Sequence, residues 1–344
     1  MLKRKAVVAL AFALAAFPTS SFAADHQAAP VPPKAPMAAK DITIAGIVFQ
    51  DDQFMKTMVR GFQDGAIKAG VPADRILVGN SGNDQVRETE LINTMVSRGV
   101  NGIAITPLSP SVSMEALKQA NDKGIAVAIT NSGGFNDVSF VVAGYMSENK
   151  ANGAAMGKAA ATYVKEANLK TPIKLGIINY DAQKPEESSL RWKGFEEALK
   201  ANGVDFVEVA AQSAIVQDLA LQVAADMLTA HPDIQIIFAA NEGGTIGTVQ
   251  AVKQTGKKIA VFGFDGSDQI TSMIIDGDLQ AVVAQDPYAQ GFMASTDLVS
   301  WLQGKPGPSV GKLTVAAGVV LSATDKKAVN KWRVDNALKE LPIK

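Results

Sequence analysis

Asn, Asp, Gln and Glu recur just past the apolar runs of this chain, and they are the residues best able to do chemistry. Gln50-Asp51-Asp52-Gln53-Phe54-Met55 follows the first run, and Asn131-Ser132-Gly133-Gly134 follows the fourth. Tyr180-Asp181, Asn241-Glu242-Gly243-Gly244, Asp265-Gly266-Ser267 and Gln285-Asp286-Pro287 close later ones. Any one of these groups alone reads as a helix cap or turn former. Their recurrence at matched positions points instead to a ligand site. Amides donate to and accept from hydroxyls, carboxylates accept from them, and aromatic rings pack on the apolar face of a sugar. Phe54, Tyr180 and Trp192 could supply such rings.

Rival chemistries lack material. With no Cys and two His, the chain offers almost nothing for a zinc site, an iron–sulfur cluster, a thiol nucleophile or a disulfide. His26 precedes the first apolar run of the fold, and His231 stands before Pro232 at a helix end, where it reads as a solvated cap. Gly46 stands alone in the first run, so a dinucleotide site lacks its phosphate turn, and neither G-x-x-x-x-G-K-[ST] nor G-x-S-x-G occurs. Asp51/Asp52 and Glu186/Glu187 could serve glycoside hydrolysis, but carboxylates adjacent in sequence on loops read as solvated. A net charge of −1 gives no footprint for nucleic acid. No cofactor and no metal are expected.

The positioning elements follow from the apolar pattern. Lys3, Arg4 and Lys5 lead into an apolar run at 6–17, and Ser21-Phe22-Ala23 offers a small-x-small cleavage site. Residues 1–23 therefore read as a secretory signal peptide cut near Ala23, which implies export to a periplasm. The Pro-rich stretch 24–40 reads as a flexible leader. Strands are predicted at 43–49, 75–79, 102–106 and 125–130, with helices at 53–70, 88–98 and 114–123 between them. That is the spacing of a parallel sheet covered by helices. The rhythm restarts with strands at 173–179, 206–210, 234–239 and 259–264 and helices near 148–167, 188–202, 218–230 and 243–254. Two late strands at 280–284 and 317–321, with a helix at 287–303 between them, imply that the chain returns to its first unit and back. In such sheets ligands bind beyond the carboxyl ends of the strands, where the polar groups stand.

Four segments carry a resemblance: LTAHPDI at 228–234, IFAANE at 237–242, FGFDGS at 262–267 and Arg191-Trp192-Lys193-Gly194-Phe195. Over about 41–325 the chain resembles periplasmic sugar-binding proteins of the ribose-binding type, the solute receptors of ABC importers. The resemblance implies an α/β fold of the type I periplasmic binding protein class, with two doubly wound parallel-sheet domains joined by a three-stranded hinge. Its lobes would be 41–146 plus 286–316 and 147–285 plus 317–344, with crossings near Ser147, Gln285 and Ala316.

It further implies that Asn241, Asp265 and Gln285 bind sugar hydroxyls, with Asp52, Phe54 and Met55 standing where the family has N-x-F-F. Asn131-Ser132 replace the family's Asp-Arg pair, Ser189 replaces the first Arg of R-x-R-G-x-G-F and leaves Arg191, and Ile215 replaces an aromatic. A small neutral sugar or polyol other than ribose is the ligand expected from these departures. Asp52 and Asp265 would repel a sugar acid. The partners implied are an inner-membrane ABC permease and, as a second possibility, a chemoreceptor; the chain would act as a monomer and not as an enzyme. The rival reading is a secreted carbohydrate-active enzyme, which predicts turnover. Repressors of the same fold carry a DNA-binding segment where this chain carries a signal peptide.

Overall fold

The computed structural model describes residues 35–132, 138–336 and 338–343. The signal peptide, most of the leader, and Gly133 and Gly134 lie outside them. The first unit runs β1 (Ile44–Val48), α1 (Gln53–Lys68), β2 (Ile76–Asn80), α2 (Gln85–Ser97), β3 (Gly102–Ile105), α3 (Val112–Asp122), β4 (Ala126–Thr130) and β5 (Val141–Ser147). The second runs α4 (Asn149–Glu166), β6 (Ile173–Asn179), α5 (Pro185–Ala201), β7 (Phe206–Ser213), α6 (Gln217–Ala230), β8 (Ile236–Ala239), α7 (Glu242–Thr255), β9 (Ala260–Phe264), α8 (Asp268–Asp276) and β10 (Ala281–Ala284). Then come α9 (Pro287–Leu302), β11 (Lys312–Ala316), β12 (Val319–Ser322) and α10 (Lys326–Asp335). The α/β alternation expected from the apolar runs is present. β5, α8, β11 and α10 were not expected.

Two six-stranded sheets result, in the orders β11-β5-β4-β3-β1-β2 and β12-β10-β9-β8-β6-β7. β1, β3, β4, β8, β9 and β10 are buried at every position. Strands covered on both faces need such unbroken apolar runs. Pairing is parallel throughout the first sheet, whereas β12 runs antiparallel to β10 at the edge of the second. Each sheet reverses its strand order once, at β1/β3 and at β6/β8. Those reversals open the crevices where ligands of such sheets bind.

The chain passes between the sheets three times: after Ser147, between β10 and α9, and between β11 and β12. α9 follows a strand of the second sheet yet packs on α1 of the first domain. The helices meet at Gly61 and Gly291, where a methyl group on either residue would overlap a backbone carbonyl of the other helix. α4 and α5 cover the second sheet in the same way, with Gly153 against the Arg191 carbonyl. The crossings are bonded together, because Glu148 N donates to Ala316 O at 3.1 Å and the Ser147 hydroxyl donates to Gln285 Oε1.

Candidate ligand cleft

Val48, Phe49, Phe54, Met55 and Leu108 of the first domain share one buried cluster with Tyr180, Ile215 and Phe264 of the second. The domains therefore meet face to face at the carboxyl ends of their strands. Polar side chains lie along this seam.

On the first-domain side, Asp52 caps α1 by accepting from Met55 N at 2.7 Å, and the Gln50 side-chain amide donates to its other oxygen. Gln50 Oε1 is buried with no protein partner. Burial pushes the Asp52 carboxyl up to about 6, with Asp265 adding to the rise. Asn131 has a φ of +42°, a left-handed conformation that Asn tolerates better than most residues. Its backbone N–H donates to Gln290 Oε1 at 3.0 Å, and its amide oxygen lies 3.1 Å from the Ser147 hydroxyl.

On the second-domain side the groups are bonded to one another. Arg191 is buried in α5 and donates to Asn149 Oδ1 at 2.8 Å, to Ala240 O at 2.8 Å and to Glu187 Oε1 at 3.3 Å. Its guanidinium carbon stands 4.4 Å from the centre of the Phe264 ring. The Tyr180 hydroxyl donates to Glu187 Oε1 at 2.9 Å, and Lys184 Nζ lies 2.6 Å from Glu187 Oε2. Burial opposes charge on Glu187, yet Lys184 and then Arg191 hold its carboxyl below the usual range. Lys184 Nζ also lies 4.9 Å from the centre of the first domain's Phe49 ring, so this buried cation touches both domains.

Asp265 links this network to the crossings. Its φ of +71° turns the side chain back on the strand ends, where Oδ2 accepts from Glu242 N at 2.9 Å and Oδ1 from Gln285 Nε2 at 2.5 Å. Burial raises its pKa against the pull of Arg191. Asn241 caps α7 by accepting from Gly244 N at 3.2 Å and donates to Ile215 O at 2.7 Å. Ile215 thus contributes a backbone acceptor, while its side chain joins the core.

Asp52, Phe54, Met55, Asn131, Arg191, Ile215, Asn241, Asp265 and Gln285 are therefore brought to one seam, and Ser189 is not. α5 begins at Pro185, three residues before the helix start expected from sequence, and this turns Ser188 inward. The Ser189 hydroxyl instead donates to Glu186 O of its own helix at 3.0 Å, on the exposed side. Trp192 is partly buried against the shared cluster, its indole N–H shared between the two Asp181 carboxylate oxygens at 3.3 Å rather than joining the bonded network. The solvated reading of the adjacent carboxylates fails for one member of each pair, since Glu187 is buried and Asp52 partly so, while Asp51 and Glu186 are exposed. Sequence reasoning missed Lys184, and it noted Glu242 only among the strand-end polar groups without naming it as a site residue. Position could have found them: Lys184 precedes Pro185 in a strand-end loop, and Glu242 follows the Asn241 cap.

Comparison with known proteins agrees with this geometry. Residues 45–306 match the periplasmic binding protein domain family. The chain is 30% identical to the ABC transporter periplasmic-binding protein YphF of Escherichia coli, over 72% of this chain and 76% of that protein. It is 27% identical to the ribose import binding protein RbsB of Bacillus subtilis, over 77% of this chain and 83% of the relative. An ABC transporter solute-binding protein from Agrobacterium vitis, solved with bound D-fucose, superposes with a TM-score of 0.73 at 25% identity, covering 86% of this chain and 99% of that one. Two such domains, a threefold crossing and a polar seam at the strand ends place the chain in a family of receptors rather than of catalysts: it belongs to the periplasmic binding proteins.

Proposed function

We propose that this chain captures a small neutral sugar or polyol between its two domains and hands it to an inner-membrane ABC permease. The observation that carries the reading is the seam itself, where Asp52 and Asn131 of one domain face Arg191, Asn241, Asp265 and Gln285 of the other beside the crossings. Two matched relatives are an ABC transporter binding protein and a ribose import protein, and a structural neighbour holds D-fucose. In this reading residues 1–23 are a signal peptide cleaved near Ala23, the lobes are 41–146 plus 286–316 and 147–285 plus 317–344, and the chain acts as a monomer.

Ribose is not the ligand in this reading. Asn131 and Ser132 offer no charge where the ribose-type pattern has an Asp and an Arg, and Ile215 offers no ring. A site built for one hydroxyl pattern rejects a mismatch by leaving buried groups unpaired, so ribose should bind roughly a hundredfold more weakly than the true ligand. A thermal-shift screen of sugars and polyols, followed by calorimetry on the hits, tests this. Submicromolar ribose binding, or a sugar acid as the best ligand, overturns the specificity claim. Solution scattering tests capture between the domains: an unchanged radius of gyration at saturation would sink the hinge model.

A further inference from the structure

Glu242 belongs to both domains at once. Its backbone N–H donates to Asp265 Oδ2 at 2.9 Å, and its own Oε2 accepts from Phe54 N of the first domain at 2.9 Å. Phe54 lies in the first turn of α1, where backbone N–H groups have no acceptor within the helix. Asp52 serves the next one, Met55 N. The start of α1 is thus capped twice, once by its own domain and once by a carboxylate reaching across the seam.

This arrangement places Asp52, Glu242 and Asp265 within electrostatic reach of one another. The available cations are otherwise engaged. Lys56 acts on Asp52 from an exposed position, where its ammonium is 3.2 Å from Asp51. Arg191 acts on Asp265 but also serves Glu187, Asn149 and Ala240. Glu187 adds further negative charge near Asp265, and the Ser267 hydroxyl is the neutral partner of Glu242. Among the described residues, no group of three or more His, Asp or Glu is arranged to hold a metal ion. A proton remains as the simplest compensating charge.

We propose that closing the two domains takes up a proton into the Asp52–Glu242–Asp265 cluster, and that Glu242 is the latch that carries it. In an open cleft Asp52 and Glu242, which face each other across the seam, meet water and ionise as ordinary carboxyls do. Closure strips the water and brings acids of both domains together. A protonated carboxyl keeps acceptor capacity, so Glu242 can hold a proton and still accept from Phe54. Burial, then Asp52 and Asp265, push the Glu242 carboxyl up to about 8, in line with this assignment. The sign follows. A group whose pKa is higher in the closed form favours closure most below its open-form pKa. That advantage is lost as pH rises from the ordinary carboxylate range through about 8.

The inference rests on the receptor reading in taking the seam as the ligand cleft, and a ligand-free measurement tests it separately. The chain has no Cys, so Val86→Cys and Val207→Cys place two unique labels. Both positions are exposed, in α2 of the first domain and in β7, the edge strand of the second sheet farthest in strand order from β12. Spin-label distances are recorded at pH 5.5 and pH 8.5 in this background and with Glu242→Gln added, which keeps an acceptor and cannot ionise. The expected result is a closed-to-open ratio about tenfold higher at pH 5.5, reduced to less than about threefold dependence by Glu242→Gln. A ratio unchanged between the two pH values, or an equal response in Glu242→Gln, overturns the proposal. Calorimetry with D-ribose, D-allose, D-arabinose, D-fucose and myo-inositol at both pH values supplies the ligand arm, and the tightest of them should bind more strongly at pH 5.5. A panel with no binder counts against the receptor reading and leaves the distance result to decide the proton link.

Discussion

On the second-domain face of the cleft, Tyr180, Glu187, Arg191, Asp265 and Gln285 sit in a bonded network whose members hold one another whether or not the first domain is near. On the first-domain face, Phe49, Phe54, Met55 and Leu108 form an apolar shelf with small, separate polar sets: Asp52 on a helix start with Gln50 bonded to it, and Asn131 at a strand end with Gln290 and Ser147. If the seam captures a ligand as proposed, the bonded second-domain face is the one set to receive it first, with the first domain as the cover. Preorganisation on one side lowers the ordering cost of binding, and apolar burial on the other drives closure.

Arg191→Ala should break the contrast most severely. It removes one of the two cations beside buried Glu187 and leaves Ala240 O and Asn149 Oδ1 without a donor. Removing one partner of a buried pair costs about 3–5 kcal/mol, and chemical denaturation of the ligand-free protein should show a loss of that size. A loss below about 1 kcal/mol would mean that the second face is not preset.

Asp265→Asn comes next. Asn tolerates the left-handed backbone, so the fold should survive, but its Nδ2 cannot accept as the replaced oxygen does from Glu242 N or Gln285 Nε2, so stability should fall by about 1–3 kcal/mol. Charge-assisted hydrogen bonds contribute about 1.5–3 kcal/mol each, so affinity for the tightest sugar of a panel should fall at least about tenfold. Full affinity in calorimetry would reduce Asp265 to a turn residue.

Phe54→Ala sharpens the comparison from the other side. In an open cleft this ring meets solvent, so stability without ligand should change by less than about 1 kcal/mol, well short of the 3–5 kcal/mol for a Phe in a permanent core. Affinity should still drop severalfold, because the ring is 4% exposed when the domains meet. Equal losses in both measurements would show that the shelf is permanent core. Ser189→Ala should do least: its hydroxyl is tied to its own helix on the exposed side, so both readouts should stay within about 0.5 kcal/mol of the parent.

Much of the architecture was legible because buried parallel strands leave unbroken apolar runs, as 43–49 and 125–130 do. β5 was missed although its apolar start, Val141-Val142-Ala143, is plain in sequence; it begins only ten residues after β4 ends, against the expected rhythm. β11 is a partly exposed edge strand with a weak pattern, whereas β12 falls on the strand expected at 317–321 but runs antiparallel to β10. At the site, strand-end position found Asp52, Asn131, Asn241, Asp265 and Gln285. Helix phase was not legible: a start at Pro185 rather than at 188 decides that Ser188 and Arg191 turn inward and Ser189 outward. Lys184 escaped because a lysine beside a proline reads as solvated, whereas here it is buried against the other domain's Phe49 and paired with the i+3 Glu187.

The return path of the chain also bears on its synthesis. α1 cannot cover its small-residue stripe until α9 exists, and the first sheet has no outer strand beside β5 until β11 has been made. The second sheet likewise waits for β12. Neither domain can therefore be completed before β11 and β12 emerge. A nascent chain of this design remains unfinished until those late strands have been made. Its two domains then mature together, late and with contacts of long sequence separation, rather than one after the other.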